Sequence, residues 1–125
     1  MLFDTDVLIW ALRGNARAAA AIDGADNLQL SVVSYMELIR GARNKRELQA
    51  TKKALANLDF QLLGLSENIG HRASIYLEEY AIKSNIGVPD ALIAATAVET
   101  GQRLCTANAK DYRAIAEIQL ELFRP

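Results

Sequence analysis

A chain of 125 residues, 51% hydrophobic and 23% charged, has the size and make-up of one soluble globular domain covering residues 1–125. It is long enough to bury a real core and has little room for a second domain. Its 14 Lys and Arg stand against 15 Asp and Glu, a net charge of −1, which excludes a strongly basic nucleic-acid coat and a polybasic membrane binder. That balance leaves room for a nuclease whose positive charge resides in a bound metal ion. One cysteine, Cys105, and one histidine, His71, exclude an intramolecular disulfide and a zinc centre built on His and Cys. The longest apolar runs, Val7 to Leu12 and Ala91 to Val98, fall far short of a membrane span. The opening residues carry no charged n-region, so a reducing, cytoplasmic setting is expected.

Short apolar runs alternate with longer helical patterns. Leu2-Phe3 predicts a brief strand, then a helix through Val7 to Leu12 that ends near Gly14. Ala16 to Ile22 reads as a second helix, stopped near Gly24, and Leu28 to Val33 as a β-branched strand. Ser34 to Ala42 and the polar stretch Arg46 to Leu58 are helical, with Phe60 to Leu63 a short strand after them. Between Ser66 and Ser84, the residues Ile69, Ala73, Tyr76, Leu77 and Tyr80 form the apolar stripe of a surface helix. Pro89 opens a helix that Gly101 closes, and its interior, Ala91 to Val98, is apolar on nearly every side, as in a buried helix. Arg103 to Thr106 predicts a strand, Ala109 to Ala116 a short helix and Ile118 to Phe123 the last strand. This alternation is that of an α/β domain with a mainly parallel central sheet of about five strands flanked by helices.

In such sheets ligands bind beyond the carboxyl ends of the strands. Acidic residues stand at these junctions: Asp4 and Asp6 after the first strand, Glu37 after the second, Asp90 in the first turn of the buried helix, and Asp111, with Asn108, after Arg103 to Thr106. Each has a local explanation. Ser34-Tyr35-Met36-Glu37 fits a capping box, Asp90 favours a helix N-terminus, Asn108 and Asp111 fit an N-cap and N3 pair, and Asp4 can cap the helix that starts near Asp6. Capping does not require acids from several strand ends to converge, and carboxylates gathered in a low-dielectric cleft repel one another. A hard divalent cation resolves that repulsion. Carboxylate oxygens without His or Cys suit Mg²⁺ or Mn²⁺, and such ions hydrolyse phosphodiesters.

Leu2-Phe3-Asp4-Thr5-Asp6-Val7-Leu8-Ile9 resembles the opening strand and turn of the PIN-domain family. Ser31 to Leu38, Pro89 to Ala97 and Thr106 to Tyr112 are similar to its second, third and fourth acidic motifs, in family order and spacing. Within the family, a stand-alone domain of this length resembles the VapC-type toxins of toxin–antitoxin pairs. The resemblance implies a PIN-like α/β/α sandwich and a metal-dependent endoribonuclease. It also implies a homodimer, restrained by a cognate antitoxin protein, acting on transfer or ribosomal RNA. It implies that Asp4, Glu37, Asp90 and Asp111 are catalytic, with Mg²⁺, replaceable by Mn²⁺, on Asp4 and Asp90 and on Glu37 and Asp111 directly or through water. Thr5 and Thr106 match supporting positions, and Asn108 is the alternative fourth position. The chain departs from the pattern at Asp6, where Asn is commoner, and at Tyr112, where Phe is usual.

Six basic residues, Arg40, Arg43, Lys45, Arg46, Lys52 and Lys53, crowd one stretch, either as a solvated helix face or as a clamp on an RNA backbone. Arg40 and Arg43, about one and two turns past Glu37, are the candidates for RNA binding. His71 reads as a surface residue, Cys105 as a small buried hydrophobe, and Trp10, Tyr76 and Tyr80 as core or dimer contacts. Two other readings compete. Asp4-Thr5-Asp6 also resembles the nucleophile motif of haloacid-dehalogenase phosphohydrolases, although that family's downstream Lys and paired acids are not apparent. A catalytically silent module that binds an antitoxin or RNA is the other.

Overall fold

In the computed structural model, which describes residues 1–125, the apolar pair Leu2–Phe3 forms β1 at the centre of a five-stranded sheet. The other strands are β2 (Gln29–Ser31), β3 (Gln61–Leu63), β4 (Leu104–Thr106) and β5 (Leu120–Leu122). All pairings are parallel, in the order β3-β2-β1-β4-β5. Leu2 aligns with Leu104, and Phe3 with Cys105.

Side chains alternate across a strand, so neighbours in sequence enter different cores. Leu2 and Leu104 pack with α5 (Glu67–Tyr80) and α6 (Val88–Glu99), among Ile69, Ala73, Tyr76 and Ile93. Phe3 and Cys105 turn the other way, to Val7 and Leu8 of α1 (Thr5–Leu12), Ala18 and Ile22 of α2 (Ala16–Asp23) and Leu55 of α4 (Lys45–Asn57). α3 (Val32–Arg40) gives Val33 to the first core and Leu38 to the second. These two helical layers make the α/β/α sandwich that the sequence predicts. α6 buries Ala91, Ile93, Ala94, Ala95, Thr96 and Ala97. Its small side chains let it lie close to the sheet and to α5, and the Thr96 hydroxyl is satisfied within the helix by the Leu92 carbonyl at 2.7 Å.

Three local expectations are corrected. Ser31, not Ser34, is the N-cap of α3: its hydroxyl accepts the Val33 N–H at 3.0 Å, and the helix takes over Val32 and Val33 from the predicted strand. The run Ala109 to Ala116 is helical only as a 3₁₀ turn, Ala109–Asp111. Tight bonds from Tyr112 N–H to the Ala109 carbonyl and from Ile115 N–H to the Tyr112 carbonyl, both 3.0 Å, carry the chain onward. These turns drive Tyr112 and Ile115 into the core, at 0% and 2% exposure. Asn108 precedes the 3₁₀ turn but makes no side-chain cap.

Candidate active site

The strand order reverses beside β1, where β2 lies on one side and β4 on the other, and the crevice at their carboxyl ends is the topological switch point. Asp4 stands there. Its backbone N–H donates to the Cys105 carbonyl at 2.9 Å, and its extended backbone makes it the N-cap of α1. Oδ1 accepts the Thr5 N–H at 2.9 Å, while Oδ2 accepts the hydroxyls of Thr106 at 2.8 Å and Tyr112 at 3.0 Å. One carboxylate thus caps α1 and also gathers the hydroxyls of Thr106 and Tyr112. Asp4 is only 6% exposed. Burial, reinforced by the charge of Asp6, pushes its carboxyl up to about 7, against the hydrogen bonds of Thr106, Thr5 and Tyr112.

Asp6, in the first turn of α1, clamps the two strand ends together. Its Oδ1 accepts the Val7 N–H at 2.7 Å and its Oδ2 accepts the Ala107 N–H, just past β4, at 3.1 Å. Burial is the main reason its pKa is raised. Asp90 enters from α6. Its Oδ2 accepts the Gly87 N–H at 3.3 Å, the local bond expected of a first-turn acid, and the Tyr112 hydroxyl lies 3.4 Å from its Oδ1. Its pKa is also raised, first by burial and then by the nearby charge of Asp111.

Glu37 does not fold back on its own helix as a capping box requires. Its Oε1 accepts the Thr5 hydroxyl at 2.7 Å, and Thr5 also pairs with the buried Ser34 hydroxyl at 2.9 Å. The capping explanation of Glu37 is thereby replaced by a contact between α3 and α1. Ser34, read in the sequence only as a cap, supports the site through Thr5. Asp111 is held by Asn108, whose Nδ2 donates to its Oδ2 at 2.7 Å, and the Asn108 N–H donates to Thr106 Oγ1 at 3.0 Å. Asp4, Glu37, Asp90, Asn108 and Asp111 are therefore joined in one network through Thr5, Thr106 and Tyr112, while Asp6 bonds only backbone N–H groups beside it. Neither basic candidate joins it. Arg40 lies exposed at the end of α3 without an ion pair, and Arg43 pairs with Glu47 at 2.9 Å. His71 is exposed on α5 and Cys105 is buried in the other core.

No three Asp, Glu, His or Cys side chains are arranged to enclose a metal ion by themselves. The available donors are all oxygens. Such a set suits a hard cation held by one or two carboxylates that keeps several waters, the habit of Mg²⁺.

The sequence matches the PIN domain family over residues 1–118. The chain belongs to the PIN-domain family. Among curated proteins nothing matches. This PIN domain is similar to a chain of a toxin–antitoxin complex from Klebsiella pneumoniae, with 31% identity, a TM-score of 0.79 and coverage of 94% of this chain and 93% of that one. Its fold is shared by a chain of VapBC2 from Rickettsia felis bound to a promoter DNA fragment (19% identity, TM-score 0.84, 98% of both chains). It is shared too by one of VapBC-1 from nontypeable Haemophilus influenzae (22% identity, TM-score 0.82, 97% and 96% of the chains). The PIN match replaces the haloacid-dehalogenase reading of Asp4-Thr5-Asp6. No helix of the PIN domain is long and apolar enough to cross a membrane.

Proposed function

We propose that this PIN domain is the endoribonuclease toxin of a VapBC-type toxin–antitoxin pair and cuts RNA phosphodiester bonds with Mg²⁺, for which Mn²⁺ can substitute. One observation carries the reading. The Asp4 carboxyl, 6% exposed, sits at the switch point with acidic neighbours Asp6 and Asp90, and no Lys or Arg is bonded to any of them. Burying such acids without a cation is costly, and a divalent ion turns that cost into affinity.

Asp4 and Asp90 are the proposed metal-holding carboxylates, with Glu37 and Asp111 completing the site directly or through water. A divalent ion there would supply Lewis acidity, polarising a phosphoryl oxygen and lowering the pKa of a water. The chain's own part is to fix these acids. The Thr5 N–H and the Thr106 and Tyr112 hydroxyls orient Asp4, the Thr5 hydroxyl holds Glu37 toward α1, and Asn108 holds Asp111. No side chain needs to be the nucleophile, so water attack in line with the 3′ oxygen leaves 5′-phosphate and 3′-hydroxyl ends. The Klebsiella relative is a component of a toxin–antitoxin complex, and by analogy the partner is a small antitoxin protein that keeps the nuclease idle, with a second copy of the chain forming a homodimer.

The test is cleavage of total cellular RNA by antitoxin-free protein, with Mg²⁺ or Mn²⁺ and with chelator, beside Asp90→Asn. Metal-dependent cuts with 5′-phosphate ends that the variant fails to make are expected. No cleavage by the parent, or equal cleavage by the variant, would reduce the chain to a binding module.

A further inference from the structure

Asp4 has four lone-pair sites on its two carboxylate oxygens. The Thr5 N–H takes one on Oδ1 at 2.9 Å. The Thr106 hydroxyl at 2.8 Å and the Tyr112 hydroxyl at 3.0 Å take both on Oδ2. One site remains, on Oδ1. The Tyr112 ring fills the core beside α6 and is 0% exposed, so its hydroxyl is aimed by packing rather than by chance. Its single proton goes to Asp4 Oδ2, the nearer acceptor at 3.0 Å, rather than to Asp90 Oδ1 at 3.4 Å. Where a phenylalanine stands at this position, neither contact exists and Oδ2 keeps a free lone pair.

We infer that Tyr112 is a positioning residue for the divalent cation: its hydroxyl, together with that of Thr106, closes Oδ2 of Asp4 so that Asp4 meets the ion through Oδ1 alone. The inference rests on the proposed reading that Asp4 and Asp90 hold a metal. This bond fixes the rotation of the Asp4 carboxylate before the ion arrives. Ordering an acidic side chain opposes binding when it must happen at the moment of binding, so fixing it in advance favours affinity. Hydrogen-bond partners of metal-holding carboxylates act in this way, and their loss typically weakens metal binding about 10–100-fold.

The experiment titrates Mn²⁺ and Mg²⁺ into the purified chain by calorimetry, for the parent, Tyr112→Phe and Asp90→Asn, and records thermal unfolding of each in chelator. Tyr112→Phe keeps the ring and its packing. Its Mn²⁺ dissociation constant is expected to rise about 10–100-fold. An unchanged or lowered dissociation constant overturns the inference. So does a Tyr112→Phe chain that no longer folds in chelator, which would assign the hydroxyl to stability alone. A parent that binds neither ion, or an Asp90→Asn chain that binds as the parent does, overturns the metal reading itself and this inference with it. Those results are distinct from a parent that binds and a Tyr112→Phe chain that binds equally well.

Discussion

The hydroxyl of Thr106 donates to Oδ2 of Asp4 at 2.8 Å, joining residues 102 apart in sequence across the central pair of strands. Thr106 Oγ1 also accepts the Asn108 N–H at 3.0 Å, so a single side chain at the end of β4 orients Asp4 and shapes the loop that presents Asp111. Both groups are buried, Thr106 at 0% and Asp4 at 6% exposure. The PIN domain thus places its most deeply buried carboxyl where neutral donors surround it and no basic side chain does. Stability and site chemistry are opposed at that point, and the opposition can be measured.

Asp4 makes the stability of the metal-free chain depend on pH in an unusual direction. Its carboxyl titrates near 7 in the folded chain and near 3.8 when unfolded, so folding takes up a proton between those values. Stability from this group is therefore greatest at low pH and falls as pH rises through the window from about 4 to 7. Asp6 and Asp90 are raised as well and act with the same sign. The loss from Asp4 is at most about 4 kcal/mol. Asp4→Asn should melt higher than the parent at pH 8 in chelator, with the gap closing toward pH 4. Parallel melting curves across this range would show that burial does not perturb Asp4 as described. The variant should also lose the rise in melting temperature that Mn²⁺ confers on the parent by mass action.

Thr5 isolates the role of Glu37. Its hydroxyl is the one hydrogen-bond partner that Glu37 has, at 2.7 Å, although Glu37 itself is exposed. Thr5→Val keeps the shape and the backbone donor to Asp4 but frees Glu37 to rotate. RNA cleavage should fall about 10–100-fold. Stability should fall by only about 1 kcal/mol, from the lost bond to Ser34. Thr5→Val should add little to a chain already carrying Glu37→Gln, because Thr5 acts on cleavage through the Glu37 carboxylate. Fully additive losses in that double variant would separate Thr5 from Glu37.

Much of this arrangement is legible in the sequence because it is local or periodic. The start of α6 follows from Pro89 and its burial from the alanine run, while the alternation of Leu2 with Phe3 divides the two cores. The positions of Asp4 and Asp6 follow from the end of the first strand, and that of Asp90 from the start of the buried helix. What escapes is contact between distant residues. Ser31-Val32-Val33-Ser34 offers two candidate caps, and local pattern cannot say that Ser31 serves while Ser34 turns to Thr5. Asp4 and Tyr112 are 108 residues apart, and the hydroxyl that distinguishes Tyr112 from phenylalanine has no local partner to announce it. The run after Ala109 has helical composition, and an α-helix would also put Tyr112 and Ile115 on one face, so the spacing cannot distinguish the 3₁₀ turn that forms from an α-helix. Asp6 shows both sides: its charge is evident in the sequence, while its grip on the Ala107 N–H is not.

The two arginines past Glu37 are alike in sequence and different in the fold, which gives a sharper test of RNA contact than removing the whole basic stretch. Arg43 is committed to Glu47, through Nη2 at 2.9 Å and Nε at 3.0 Å, so its charge is already answered on the surface. Arg40 has no carboxylate partner and leaves α3 on the same helix as Glu37. An unanswered guanidinium can replace a counterion on the RNA backbone, whereas a paired one must first give up its partner. Binding of a short single-stranded RNA to Asp90→Asn, which cannot consume it, should weaken on Arg40→Ala at low salt. The slope of log K against log salt should drop by about 0.7 for that one lost phosphate contact. Arg43→Ala should change affinity less and leave the slope close to that of the parent. Equal effects from the two substitutions would place the RNA across the Asn44 end of α4 as well as α3. No effect from either would return the basic stretch to a solvated helix face.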